Sequence, residues 1–241
     1  SHTAKIVFTE TTSPETERSF EWSFEVTALS EKIRALVDGE PNPIAYWDFD
    51  FATDAATAFD HVFGYQGDLV NAKYTEDKGG HTGEAGDRAM DFLVTPAGML
   101  VQDAEFLDIA SGINKVTISV WVKNHAILPN ATVFFALTST DNPGPDMEGR
   151  TRFASFHIPW GNENIYFDTA GCCVGTTQRI NLGNAGFEWT EWHHYVFVKD
   201  KGHKSIWIDG TLFHEGDNSS ALPSDFDFLY IGGNQNGGNS V

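Results

Sequence analysis

Trp160, Asn162, Asn164, Tyr166 and Asp168 lie close together in a segment that Pro159 and Gly161 turn back on itself. Saccharides offer apolar ring faces and fixed hydroxyls, so they are met by exposed aromatic platforms with amide or carboxylate groups beside them. Two aromatic rings, two amides and one carboxylate are such a set. Arg152, on the strand expected to pair with that of Tyr166, and Trp189 are further candidates. Trp160 stands beside Pro and Gly. Trp121, Trp192 and Trp207 fall inside strong strand patterns, where core packing is the simpler expectation.

Other chemistry finds less support. His193 and His194 adjoin on a strand, where neighbours point to opposite faces, and no His-Glu-x-x-His spacing occurs, so zinc is not expected. Glycoside hydrolysis needs two carboxyl groups roughly 5 to 9.5 Å apart across the scissile bond. Glu188 and Glu191 have the wrong strand parity for that, and Asp48 and Asp50 share a face but lie in one early segment. No Gly-x-Ser-x-Gly, phosphate loop or Cys/His nucleophile pattern is present. Both cysteines are neighbours, Cys172-Cys173, which leaves either a vicinal disulfide stiffening the turn from Ala170 to Gly175 or two free thiols. Asn130-Ala131-Thr132 and Asn218-Ser219-Ser220 match the glycosylation acceptor pattern.

The elements that must position these residues read mostly as strands. Val116, Ile118, Val120 and Val122 alternate with Thr117, Ser119 and Trp121. Runs at 132–138, 152–158, 165–169 and 178–182 follow. Two more, Trp192 to Val198 and Ser205 to Ile208, flank a polar turn carrying Gly202, and Asp209-Gly210 signals a further reversal. Near the amino terminus, Lys5 to Thr9 and Phe20 to Val26 read as two strands, and Leu29, Ile33, Leu36 and Val37 form one helical stripe stopped by Gly39 and Pro41. About ten turn-punctuated strands with almost no helix favour a two-sheet antiparallel jelly-roll sandwich.

Composition bounds the class. The 241 residues carry a net charge of −19, from 34 acidic and 15 basic side chains, which disfavours nucleic acid as a partner. The apolar share of 41% suffices for a core, and no run approaches the roughly 18 apolar residues of a membrane span. The amino terminus lacks the basic-then-apolar order of a signal peptide.

Several motifs in order carry a resemblance: Ala45-Tyr46-Trp47-Asp48-Phe49-Asp50, Phe59-Asp60-His61 with Gly64 and Gly67-Asp68-Leu69-Val70, Arg88-Ala89-Met90-Asp91-Phe92, Trp192 to Val198, Ile206-Trp207-Ile208-Asp209-Gly210 and Leu229-Tyr230-Ile231-Gly232-Gly233. Together they resemble a laminin-G-like domain of the concanavalin A-like lectin/glucanase superfamily. The resemblance covers about Ile44 to Val241. It implies a jelly roll over 43–241, with Ala45 to Asp50 as its first strand, preceded by a hairpin-plus-helix extension over 1–42. A last strand beside the first is also implied, and the sequence after Gly233 does not supply it.

The same resemblance implies a loop that can hold a structural calcium ion through Asp60, Gly64 and Asp68, with Asn71 near it. The superfamily's glucanases place their acids as Glu-x-Asp-x-Glu on one strand, and that run is absent here. The expectation is therefore a non-catalytic glycan-binding module for targeting or adhesion, secreted or at a cell surface, within a larger protein. A protein-interaction module and a glycan-cleaving enzyme with loop-supplied acids are the alternatives.

Overall fold

The computed structural model describes residues 2–10, 16–24, 43–50, 56–92, 96–125, 130–138, 152–172, 174–175, 177–183 and 185–233. The chain separates into two compact units, Ser1–Pro43 and Ile44–Val241. In the first, β1 (His2–Glu10) and β2 (Thr16–Phe24) form an antiparallel hairpin in which His2 pairs with Phe24 and Glu10 with Thr16. The helix expected over Leu29 to Val37 lies outside the described residues.

The second unit is a β-sandwich. Its strands are β3 (Thr57–Phe59), β4 (Gln66–Val70), β5 (Lys73–Tyr74), β6 (Met90–Asp91), β7 (Gly98–Val101), β8 (Lys115–Val122), β9 (Thr132–Thr138), β10 (Arg152–His157), β11 (Asn164–Thr169), β12 (Arg179–Gly183), β13 (His193–Asp200), β14 (His203–Ile208), β15 (Thr211–Asp217) and β16 (Phe226–Ile231). Between β7 and β8 come a 3₁₀ turn, Glu105–Leu107, and a short helix α1, Asp108–Ile113. Eight strands form one sheet in the order β12-β11-β10-β9-β16-β7-β4-β3, and four form the other, β15-β14-β13-β8. Neighbouring strands pair antiparallel throughout both. β5 and β6 make a separate two-stranded pair.

Alternation builds the interior. On β13, Tyr195 and Phe197 turn inward, and the Phe197 ring lies parallel to that of Phe156 on β10 at 4.0 Å, so the two sheets meet ring on ring. Phe167 of β11 packs edge-on against both rings. Met99, Val101, Phe134, Ala136, Ile206 and Leu229 extend the core. The reversal at Asp209-Gly210 has φ of 49° and 77°, the left-handed pair that a two-residue hairpin of this twist requires.

Two expectations are corrected. Ala45 to Asp50 is not a strand: Asp48 turns its carboxylate back onto the Asp50 amide at 3.1 Å, a local bond that competes with a ladder. Trp121 and Trp207 are not core residues; they are 43% and 37% exposed, because their strand parity points them away from the eight-stranded sheet. Trp192 is half-buried.

Candidate functional site

The site takes shape at the β10–β11 hairpin, near one end of the large sheet. The Trp160 amide donates to the Asn164 carbonyl at 2.8 Å and the Glu163 amide to the Trp160 carbonyl at 2.8 Å, closing a turn in which Glu163 adopts φ of 65°. The Ala131 amide donates to the Pro159 carbonyl at 3.0 Å and the Ile158 amide to the Ala131 carbonyl at 2.9 Å, and the Gly161 amide donates to the Asn130 side-chain oxygen at 2.7 Å. A Cβ at Gly161 would stand 2.8 Å from that oxygen, so a larger residue would have to push the Asn130 side chain aside. Trp160 is thereby held half-buried with its indole edge-on to His157 at 4.6 Å. His157 in turn shares a hydrogen bond between Nδ1 and the Thr132 hydroxyl at 3.1 Å.

Along β11, Ile165, Phe167 and Thr169 face the core, which sends Asn164, Tyr166 and Asp168 to the other side. Register places Tyr166 opposite His157 on β10 and Asn181 on β12, and Asp168 opposite Ser155 and Arg179. Asp168 is fully buried and grips Arg179 with both oxygens, at 2.6 and 2.7 Å. Burial works against the Arg179 charge, but the hydrogen bonds and charge of Asp168 outweigh it and hold the guanidinium pKa above its ordinary value. The guanidinium lies 4.4 Å over the Tyr166 ring, and the Tyr166 hydroxyl accepts from the Asn162 side-chain amide at 2.8 Å. Asn162 also accepts from the Asn164 amide at 3.2 Å, and Asn181 donates to the Asn164 side chain at 3.4 Å.

The structure thus brings together Trp160, Asn162, Tyr166 and Asp168. The chain of contacts runs from a buried ion pair, through a covered tyrosine, to the exposed Asn162 amide, with His157 standing between Tyr166 and the Trp160 indole. Arg179, His157 and Asn181 belong to the same constellation and were missed; working out the β11–β12 register would have set Arg179 opposite Asp168. Arg152 opens β10 opposite Leu137, and its side chain lies outside the described residues. Trp189 is 7% exposed and packs against Phe187 at 4.9 Å, which leaves it no face for a ligand.

The residues expected to hold calcium do not fit that ion. The Asp60 carboxylate, buried in its own loop, accepts backbone N–H groups from Tyr46, from Val62 at 3.1 Å, from Phe63 at 2.7 Å and from Gly64 at 3.2 Å. Amide hydrogens aimed at both oxygens occupy the lone pairs a cation would need. Asp68 sits on β4 opposite Thr57 and accepts from Gln66 and Gln102 at 2.8 and 3.1 Å, while Asn71 donates to the Pro96 carbonyl at 2.7 Å. Among the described residues no group of three or more His, Cys, Asp or Glu side chains could hold a metal ion.

His193 and His194 diverge as strand alternation requires: His193 meets Asp209 at 2.7 Å and Phe187, and His194 meets Ser119 at 2.7 Å. Glu188 and Glu191 occupy a turn, with the Glu191 amide donating to the Glu188 carbonyl. Cys172 is buried and carries no free thiol; Cys173 lies outside the described residues.

Two facing antiparallel sheets, one of eight strands and one of four, define a β-sandwich. The chain belongs to the concanavalin A-like lectin/glucanases superfamily, whose laminin-G model matches residues 102–241. Among curated proteins no match is found. Three solved structures illustrate the likeness. Domains LG4-5 of the mouse laminin alpha1 chain share 11% identity over 49% of this chain and 28% of that one, with a TM-score of 0.35, so the match spans little more than a quarter of the laminin chain. The CBM40 of the Ruminococcus gnavus IT-sialidase bound to alpha2,3 sialyllactose shares 10% over 60% and 78%, with a TM-score of 0.44. Domain 4 of AbnA, a GH43 extracellular arabinanase from Geobacillus stearothermophilus in complex with arabinotriose, shares 17% over 79% and 84%, with a TM-score of 0.48. No helix among the described residues is long and apolar enough to cross a membrane.

Proposed function

We propose that this is a non-catalytic glycan-binding module, acting in targeting or adhesion as part of a secreted or surface protein, and that it takes a neutral saccharide at the Trp160 hairpin. The observation that supports this reading is the Asp168–Arg179–Tyr166–Asn162 relay, linked to the Trp160 indole through the His157 ring, which stands edge-on to both Tyr166 and Trp160. Arg179 is spent on a buried carboxylate, so what the described residues of the relay offer a ligand is amides, a phenol and an aromatic edge, groups that suit hydroxyls and C–H faces. Among the described residues an anionic sugar would meet no uncompensated positive charge there, and it would be repelled by the net charge of −19.

Calorimetric titration with neutral oligosaccharides, arabinotriose among them, and with sialyllactose tests the proposal. The neutral set is expected to contain a binder, with sialyllactose weaker than any of it. Trp160→Ala and Asn162→Ala should each weaken binding by at least about 10-fold, the range expected for losing one aromatic or bidentate polar contact. Unchanged affinity in Trp160→Ala would remove the hairpin from the site.

A further inference from the structure

The opposite side of the molecule carries a second aromatic surface. On the outward face of the four-stranded sheet, register aligns Ser119 of β8, Val196 of β13, Trp207 of β14 and Leu212 of β15 in one row, with Trp121 and His194 in the next. Trp207, Leu212 and Trp121 are 37%, 39% and 43% exposed. The Trp207 indole N–H donates to the Ser205 hydroxyl at 2.9 Å, two residues back on the same strand face, so the ring leans along its strand instead of standing off the sheet. Two strands away, about 10 Å at the usual spacing, Trp121 stacks near-parallel with His81 at 4.3 Å and with His194 at 5.0 Å. His194 is itself tied to the Ser119 hydroxyl at 2.7 Å. The result is a reclining indole bordered on one side by a pile of three rings, with Val196 of β13 and the exposed Ser119 of β8 in the indole's own row.

We propose that this face is a second carbohydrate platform, which receives a stretch of a neutral polysaccharide chain against Trp207 and alongside the Trp121 pile. Size favours a sugar over a protein partner: the exposed parts of Trp121, Trp207 and Leu212 amount to roughly 300 Å² of apolar surface, taking about 250 Å² for a large aromatic, an area that sugar rings can cover. A stable protein interface needs roughly 800 Å² from each side. Charge agrees. In a chain of net charge −19, the row from Ser119 to Leu212 holds no ionised side chain, which suits an uncharged ligand. The platform lies on a different sheet from the Trp160 hairpin, so the module would hold a long chain at two places and a short oligosaccharide at one.

Affinity electrophoresis of the full chain through gels containing xyloglucan, arabinan or mixed-linkage β-glucan tests this, with light scattering in parallel. Retardation on at least one of these gels should fall about fivefold or more in Trp207→Ala and recover in part in Trp207→Phe, while oligosaccharide affinity at the Trp160 hairpin stays unchanged. Retardation unaffected by Trp207→Ala, or no retardation of the native chain on any gel, would overturn the platform. So would a concentration-dependent rise in mass that Trp207→Ala abolishes, which would mark the face as a contact between copies. Loss of oligosaccharide binding in Trp160→Ala with Trp207→Ala silent would leave the proposed function standing and remove only the second surface.

Discussion

A carboxylate that accepts four backbone N–H groups works as an internal clasp, and Asp60 is in that position. Removing it takes the side-chain acceptor from those four donors, so Asp60→Ala should cost about 1 to 3 kcal/mol, read from urea midpoints. A chelator should leave the melting temperature of the native chain where it is, because nothing the clasp does requires a cation; a fall on adding EDTA would contradict this assignment. The importance of Asp60 was visible in its glycine-bearing loop, but its role was not. Sequence spacing shows which acids lie near a turn, not whether amide hydrogens or a metal reach them first. Trp160 was easier to recognise, since Pro159 and Gly161 keep it out of the ladders. Trp207 was not: a tryptophan inside a strand is buried or exposed according to which layer covers its face, a property of the stacked sheets and not of the strand.

At the level of elements, β13 and β14 carry two lysines on their inward faces, Lys199 and Lys204, paired directly across the ladder and both almost wholly buried. The Lys204 amine donates to the carbonyls of Phe167 at 3.1 Å and Gln178 at 2.7 Å, the residues adjoining Asp168 and Arg179, so the small sheet is pinned to the rungs that build the hairpin site. Burial, opposed by Asp168 and reinforced by Lys199 and Arg179, brings the Lys204 pKa down to about 6; burial lowers that of Lys199 too. An unfolded lysine titrates near 10.4, so between about pH 6 and 10 the unfolded chain binds the extra proton. Stability from this pair therefore rises with pH across that window and is lost as pH falls towards 6. Lys204→Met should flatten the rise in urea midpoint between pH 7 and 9.5 while keeping the midpoint at pH 7 equal or higher; a slope unchanged by the substitution would show the amine to be charged when folded. Alternation made β8, β13 and β14 legible, and Asp209-Gly210 fixed the reversal after them. The short β4 and β7 lack such a period, and Ala45 to Asp50 mimicked one while Asp48 bonded to the Asp50 amide and Asp50 to that of Arg88.

On the scale of the whole molecule, the parallel rings of Phe156 and Phe197 are where the two sheets lean on each other. Phe156→Ala should cost about 3 to 5 kcal/mol and weaken both proposed sugar surfaces in proportion to the fraction unfolded, which denaturant titration monitored beside binding would reveal. The sandwich class could be read from the order of the motifs, because many short strands with turns between them have few ways to bury one face each. Which faces remain open depended on the layering. One buried side chain bears on how the protein can be made. Asn218 opens the acceptor triplet Asn218-Ser219-Ser220, yet it is fully enclosed, bonded to the Lys199 amine at 3.1 Å and to the Thr169 hydroxyl at 3.3 Å, and its Nδ2 is shut off from solvent. Oligosaccharyltransferase in a eukaryotic secretory host meets this triplet while the nascent chain is still extended, and a branched sugar tree on that nitrogen has no route into the closed interior. Production in such a host would divide the chains into unmodified ones that mature and decorated ones held back by endoplasmic-reticulum surveillance, a partition that Ser220→Ala would abolish.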